Sequence, residues 1–114
     1  MQTTTIKIDS AAIVLKLLGD KTRLTMVKLL ETHNCCVCEF VEIFQASQPS
    51  ISQHLRKLRD VGLVNEQRRG QWIFYSINTE HAFFPFLKEV LKQVPKQDYR
   101  IKYLEENGTR ITCC

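Results

Sequence analysis

Five cysteines carry the most specific chemistry in this chain: Cys35, Cys36 and Cys38 in one cluster, and Cys113 and Cys114 at its end. Residues this close cannot staple a fold, because a disulfide between them closes almost no loop, and adjacent Cys35 and Cys36 make poor disulfide geometry. Two chemistries remain. Thiolates at this density capture soft metal or metalloid ions, or they cycle through oxidised sulfur states. The plainer alternative is that the cluster is a set of small apolar side chains at a helix start. Cys35 and Cys38 also have C-x-x-C spacing, which in redox enzymes opens a helix that follows a strand in a βαβ unit. Here a helical pattern precedes the cluster and no parallel-strand pattern exists. With no acid–base pair and no glycine-rich phosphate loop either, the chain is not expected to be an enzyme.

A second constellation is electrostatic. Between residues 47 and 77, five bases (Arg56, Lys57, Arg59, Arg68, Arg69) face two acids (Asp60, Glu66), which leaves +3 of a net charge of +4 in about a quarter of the chain. Gln48, Ser50, Ser52, Gln53, His54, Arg56 and Lys57 fall on the polar faces of one helical segment, and Arg68, Arg69 and Gln71 on the turn of a hairpin. Amide, hydroxyl and guanidinium groups in that arrangement suit base edges and phosphates: Gln53 can read adenine, and Arg56 can read guanine or hold a phosphate. The arginines and glutamine at the hairpin tip reach towards the backbone or the adjacent minor groove. A solvated basic helix face, or a protein-interaction module of the same shape, is the alternative.

The elements that must position these groups are legible. Ala11, Val14, Leu15 and Leu18 recur at helical spacing up to Gly19, and Asp20 caps a second helix that runs to about residue 32. A short helix over 38–44 turns Phe40, Val41 and Phe44 inward. After a turn at 46–48, Ser47 and Pro49 start a fourth helix, buried along Ile51, Leu55 and Leu58 and closed by Gly62. Segments 63–68 and 72–77, rich in β-branched and aromatic residues, meet across a tip at 69–71 as a hairpin. Phe83, Leu87, Val90, Leu91 and Val94 line a further helix, which Pro85 obliges to start near Phe84 or to kink. The remainder is polar, with a short helix over 98–106. The predicted architecture is mainly α with a small β-hairpin, a winged helix-turn-helix. Residues 1–95 form the DNA-binding domain, and 96–114 a C-terminal tail.

Bulk properties agree with one ordinary domain, 44% hydrophobic and 25% charged. No apolar run approaches the ~20 residues of a membrane span. No basic region precedes the short apolar stretch near the N-terminus, so the expectation is a cytoplasmic chain with no membrane partner and reduced thiols.

The strings LGDKTRL (18–24), CVCEF (36–40), QPSISQHLRKL (48–58) and GLV (62–64), followed by the hairpin through Tyr75, resemble the ArsR/SmtB family of metal-responsive repressors over about residues 11–94. The resemblance implies a homodimer on double-stranded operator DNA that its inducer releases. It makes residues 1–95 the dimerisation domain as well and places the dimer interface on the first and last helices, where an exposed apolar face over 83–94 fits. It also implies a thiolate site at Cys36 and Cys38, like that of the arsenic- and cadmium-sensing branches, with no constitutive cofactor. The expected inducer is arsenite or a similar thiophilic ion such as antimonite. Where the arsenic branch has a third cysteine this chain has Val41, so Cys35, Cys113 or Cys114 is the candidate third ligand. The cadmium branch draws cysteines from its N-terminal arm, and residues 1–34 contain none. The zinc branch uses an Asp/His set on the last helix, where only Glu80 and His81 stand here. Cadmium, lead, or oxidation and sulfide chemistry at the same thiols is the alternative signal; a thiol-redox enzyme is the more distant one.

Helix geometry adds a condition. Positions 36 and 38 on one intact turn point about 200° apart, so a single ion can bridge them only where the start of the third helix is irregular or unwound.

Overall fold

The computed structural model describes residues 6–111. Its order is α1 (Ile8–Leu18), α2 (Lys21–Leu30), β1 (Cys35–Cys36), α3 (Val37–Phe44), α4 (Gln48–Asp60), β2 (Val64–Arg69), β3 (Trp72–Ile77), α5 (Phe84–Lys92) and α6 (Asp98–Glu106). This is a winged helix-turn-helix, mainly helical with an antiparallel wing. No helix among the described residues is long and apolar enough to cross a membrane.

Local chemistry sets the boundaries. The Asp20 carboxylate caps α2 by accepting the Arg23 N–H at 3.0 Å. Ser47 caps α4 by accepting the Ser50 N–H at 3.2 Å, with Pro49 in the first turn, where a missing N–H costs nothing. Gln45 turns the chain between α3 and α4 in the left-handed region, at φ 51°. The turn is therefore 45–47, one residue earlier than expected, and α4 begins at Gln48. α5 starts at Phe84, so Pro85 lies in its first turn and no kink is needed.

Ile51, Leu55 and Leu58 of α4 are fully buried against Met26, Val27 and Leu30 of α2, with Phe40 of α3 in the same core. Ile101 and Leu104 of α6 join that core, and α6 lies against α3. One expectation about burial is corrected. Phe83, Leu87 and Leu91 are not an exposed apolar face: they fill the chain's own interior. Leu15 is turned outward, and with Ile8 and Ala12 it makes an exposed i, i+4, i+7 row on α1, while Phe86 is the exposed aromatic of α5.

The sheet holds a strand that the sequence did not announce. β1 pairs antiparallel with β3 (Cys35 with Tyr75, Cys36 with Phe74), giving the order β1-β3-β2. β2 and β3 form the wing, in register from Val64–Ile77 to Arg69–Trp72 across a two-residue tip, with Gly70 at φ 61°. The hairpin's first strand is thus 64–69 rather than 63–68. Although β1 runs straight into α3, it is antiparallel to its neighbour, so no βαβ unit forms at the C-x-x-C.

Candidate functional site

The two thiols of the Cys-Val-Cys element converge because they do not share a helical turn. Cys36 is the extended residue that caps α3 (φ −98°, ψ 168°), and Cys38 lies in the first turn. Their Sγ atoms are 3.0 Å apart. The helix start is neither irregular nor unwound: Cys36 stands outside the first turn as its cap, and the two sulfurs meet without any distortion of α3. Successive strand residues point to opposite faces: Cys35 enters the hydrophobic core, while Cys36 faces a cavity on the other side.

Electrostatics around the cap are set by Glu39. Its carboxylate is completely buried and accepts three donors: the Cys36 N–H at 2.9 Å, Arg110 Nη1 at 2.7 Å and the Ile111 N–H at 2.8 Å. The Glu39 N–H in turn points to the Cys36 sulfur, completing a capping box with cysteine where serine or threonine is usual. Burial, with the Glu39 charge adding to it, pushes the Cys35 thiol up to about 12; Arg110 opposes the shift. Burial and the hydrogen bond with Cys38 push Cys36 up to about 12, against the Glu39 N–H. In the absence of an ion both are thiols. A bound soft ion replaces the protons, as it does at any thiolate site.

The cavity in front of the pair has a volume of about 380 Å³ and is lined by Cys36, Val37, Cys38 and Val41, by Gln48 at the start of α4, and by Gln71, Trp72 and Ile73 of the wing. The thiols therefore share a space with the first residue of the recognition helix and with the wing. Among the described residues no three His, Cys, Asp or Glu side chains are grouped to hold a metal ion. Cys113 and Cys114 lie outside the described residues. At the zinc branch's position, the His81 ring is occupied: Nδ1 accepts the Phe83 N–H at 2.9 Å, so Nε2 carries the proton and donates to the Val61 carbonyl at 2.9 Å.

The candidate DNA face is drawn from α4 and the wing, whose Gln48 and Gln71 line one cavity. Gln48, Gln53, Arg56, Lys57, Arg68, Arg69 and Gln71 are exposed, and Ser50, Ser52 and His54 half-buried. Gln48 donates to Ser52 Oγ at 3.0 Å, so these two present themselves jointly. Among the described residues Arg56, Lys57, Arg68 and Arg69 carry no ion pair, whereas Arg59 is engaged by Asp60 and Glu66. Glu66 also accepts the Tyr75 hydroxyl at 2.8 Å; burial and that carboxylate push the phenol up to about 12, so it stays a donor.

Sequence reasoning missed the residues that hold this surface in place. Arg23 donates from Nε to the Leu17 carbonyl at 2.7 Å and from Nη1 to His54 Nδ1 at 2.9 Å, joining α1, α2 and the recognition helix. Glu39 and Arg110 were missed as a pair, although the Cys36-x-x-Glu39 spacing of a capping box was a usable signal.

Helix, turn, basic recognition helix and basic wing define a DNA-binding transcriptional regulator of the winged helix-turn-helix class. A family model described as "Bacterial regulatory protein, arsR family" matches residues 20–66. The arsenic resistance transcriptional regulator ArsR2 of Pseudomonas putida is 41% identical over 99 residues, which take in 86% of this chain and 83% of that one. ArsR1 of the same organism is 42% identical over 69 residues, 60% of this chain but only 54% of its own length. Reduced HlyU from Vibrio cholerae superposes with a TM-score of 0.67 at 26% identity, over 77% of this chain and 92% of that one. The chain belongs to the arsR family, a family of transcriptional regulators and not of enzymes.

Proposed function

We propose that this chain is a cytoplasmic, homodimeric repressor that leaves its operator when trivalent arsenic, or a similar thiophilic ion such as antimonite, binds Cys36 and Cys38. The observation that carries the reading is the 3.0 Å approach of the two sulfurs inside a cavity that Gln48 and the wing also line. Two metal–sulfur bonds of about 2.3 Å meeting near a right angle set their sulfurs about 3.3 Å apart, against about 3.8 Å for a tetrahedral ion. The observed separation is close enough for one ion to bridge both sulfurs with little movement. Cys35, facing the core, is a third ligand only if β1 rearranges; Cys113 and Cys114 remain the other proposed donors. The regulator names of the Pseudomonas relatives support the same inducer class.

An ion seated here pushes on α3, the start of α4 and the wing together. Two recognition helices in a dimer must sit about 34 Å apart to enter successive major grooves, so a small shift of α4 against the wing suffices. A 100-fold loss of operator affinity requires about 2.7 kcal/mol of coupling, within the reach of two thiolate bonds. Residues 1–95 supply DNA binding and dimerisation in this reading, and 96–114 is a tail from which α6, Arg110 and Ile111 brace α3.

Fluorescence-anisotropy binding to the promoter DNA upstream of its own gene, under reducing conditions, tests the proposal. Micromolar arsenite is expected to release the reduced protein, while Cys36→Ser and Cys38→Ser remain bound. Release of both variants by arsenite sinks this site, and absence of binding even at low salt sinks the repressor itself. The same sulfur approach favours a second reading, oxidation of the pair. Release by peroxide or polysulfide, with no response to arsenite, decides for it.

A further inference from the structure

The first turns of α6 lie beside the start of the recognition helix. Tyr99, Arg100 and Tyr103 share a groove with Glu42, Ile43 and Gln45 at the end of α3. Gln45 is the left-handed residue of the α3–α4 turn, three positions before Gln48, which begins α4. Three residues of chain span at most about 11 Å, so the groove adjoins the N-terminal end of the candidate DNA face. The cavity shared by Gln48 and the wing takes in other residues of α3, namely Val37, Cys38 and Val41. The wing and α6 therefore meet α3 along different residues, both near the start of α4.

Within that groove the Arg100 guanidinium is fixed in advance. Its Cζ lies 5.6 Å from the Phe44 ring centroid and 5.1 Å from that of Tyr99, and Nε donates to Gln97 Oε1 at 2.7 Å. Among the described residues its terminal N–H groups have no carboxylate partner. A planar fork already held by two rings and an amide loses little freedom on meeting a phosphate. The acids nearby are engaged elsewhere. Glu42 accepts the Tyr103 hydroxyl at 3.2 Å and the Gln45 amide at 3.4 Å, and Asp98 faces His33 at 3.2 Å. A helix in the ~12 Å major groove has a phosphate strand on either side, and the first helix of a helix-turn-helix crosses the backbone. We propose that α6 is a further DNA-contacting element: with α4 in the groove, Arg100, steadied by Phe44 and Tyr99 beside the α3–α4 turn, holds a phosphate of the strand that α3 crosses. This rests on the reading of α4 and the wing as the DNA face. The contact reads no base; it adds affinity and fixes the register of α4 on the duplex.

Affinity of the full reduced chain for the promoter fragment, followed against salt, tests the contact. Each phosphate held by a cation contributes about 0.9 to the slope of log affinity against log salt. Arg100→Gln is expected to lower that slope by about 0.9 for each protomer on the DNA. Arg100→Lys, which keeps the charge and loses the planar stack, is expected to retain it. Lys102 is exposed and lines a hollow with His33 and Glu105 instead of the Arg100 groove, so Lys102→Gln is expected to leave the slope unchanged. Equal losses from Arg100→Gln and Lys102→Gln assign the effect to net charge and overturn the contact. A slope lost in Arg100→Lys as well assigns Arg100 to holding α6 in place and overturns it too. A slope unchanged in Arg100→Gln but lowered in Lys57→Gln overturns this proposal and leaves the α4 face standing. No loss in either variant brings down the DNA face itself.

Discussion

His54 lies in the middle of the candidate DNA face, yet its ring is not free to act as a cation. Arg23 can only donate, so its 2.9 Å contact to Nδ1 requires that nitrogen to be bare and leaves the proton on Nε2. Burial lowers the His54 pKa from its ordinary 6.5, with Arg23 and Lys57 adding to the shift and Asp20 opposing it. A histidine lowered on folding takes up its proton first in the unfolded chain. Its contribution to stability is therefore complete above pH 6.5 and declines as the pH falls from there towards the folded value. Following the His54 Cε1–H resonance with pH should give a midpoint below 6.5; one at or above that value contradicts the Arg23 contact. At neutral pH the group offered to DNA is a neutral donor, which adds to base or phosphate contacts but not to the salt dependence that Arg56 and Lys57 bring. Replacing Arg56 by alanine should weaken operator binding by about 1–3 kcal/mol, and replacing Lys57 should lower the slope of log affinity against log salt by about one. Salt titrations of both variants separate these two roles.

Among the elements, α6 is held to α3 by Ile101 and Leu104 in the shared core, by the Tyr103 hydroxyl donating to Glu42 at 3.2 Å and by Arg100 over the Phe44 ring, and the segment after it by the Glu39 carboxylate. Arg110 neutralises a carboxylate that has no contact with solvent, and Ile111 adds a backbone donor to the same group. Removing one partner of a buried pair leaves the other charge stranded. Arg110→Ala is expected to cost about 3 kcal/mol in urea unfolding, with Arg110→Lys recovering part of it, and a loss under about 0.5 kcal/mol, the range of ordinary surface changes, contradicts the account. The helices themselves were legible before any coordinates. Ser47, Pro49 and the Ile51–Leu55–Leu58 stripe announce α4, and the 98–106 helix was anticipated from its sequence. β1 was not, because two residues contain no periodicity and their pairing partner lies some 40 residues away. The Glu39–Arg110 pair escaped for the same reason: 71 residues separate two groups whose meeting only tertiary packing decides.

For the molecule as a whole, the apolar surface left outside the core is informative. Ile8, Ala12 and Leu15 on α1 and Phe86 on α5 stay exposed on the two helices that the family resemblance assigns to the dimer. Leu15→Asp, which removes nothing from the core, should convert a dimer into a monomer in sedimentation equilibrium and abolish tight operator binding; an unchanged dimer places the interface elsewhere. The thiol pair was visible in the sequence, but the cavity was not, since Val41, Gln48 and Trp72 come from three elements and no local pattern unites them. The sheet order carries a last consequence. β2 is an edge strand, with exposed side chains from Asn65 to Arg69 and, among the described residues, no partner on its outer side. Open edges invite strand-to-strand aggregation, and charged side chains along them are the usual deterrent. Glu66, Arg68 and Arg69 therefore guard the wing whenever the protein is off DNA. Variants that neutralise Arg68 and Arg69 lose colloidal stability along with DNA affinity, and such a protein precipitates at concentrations where the parent stays clear.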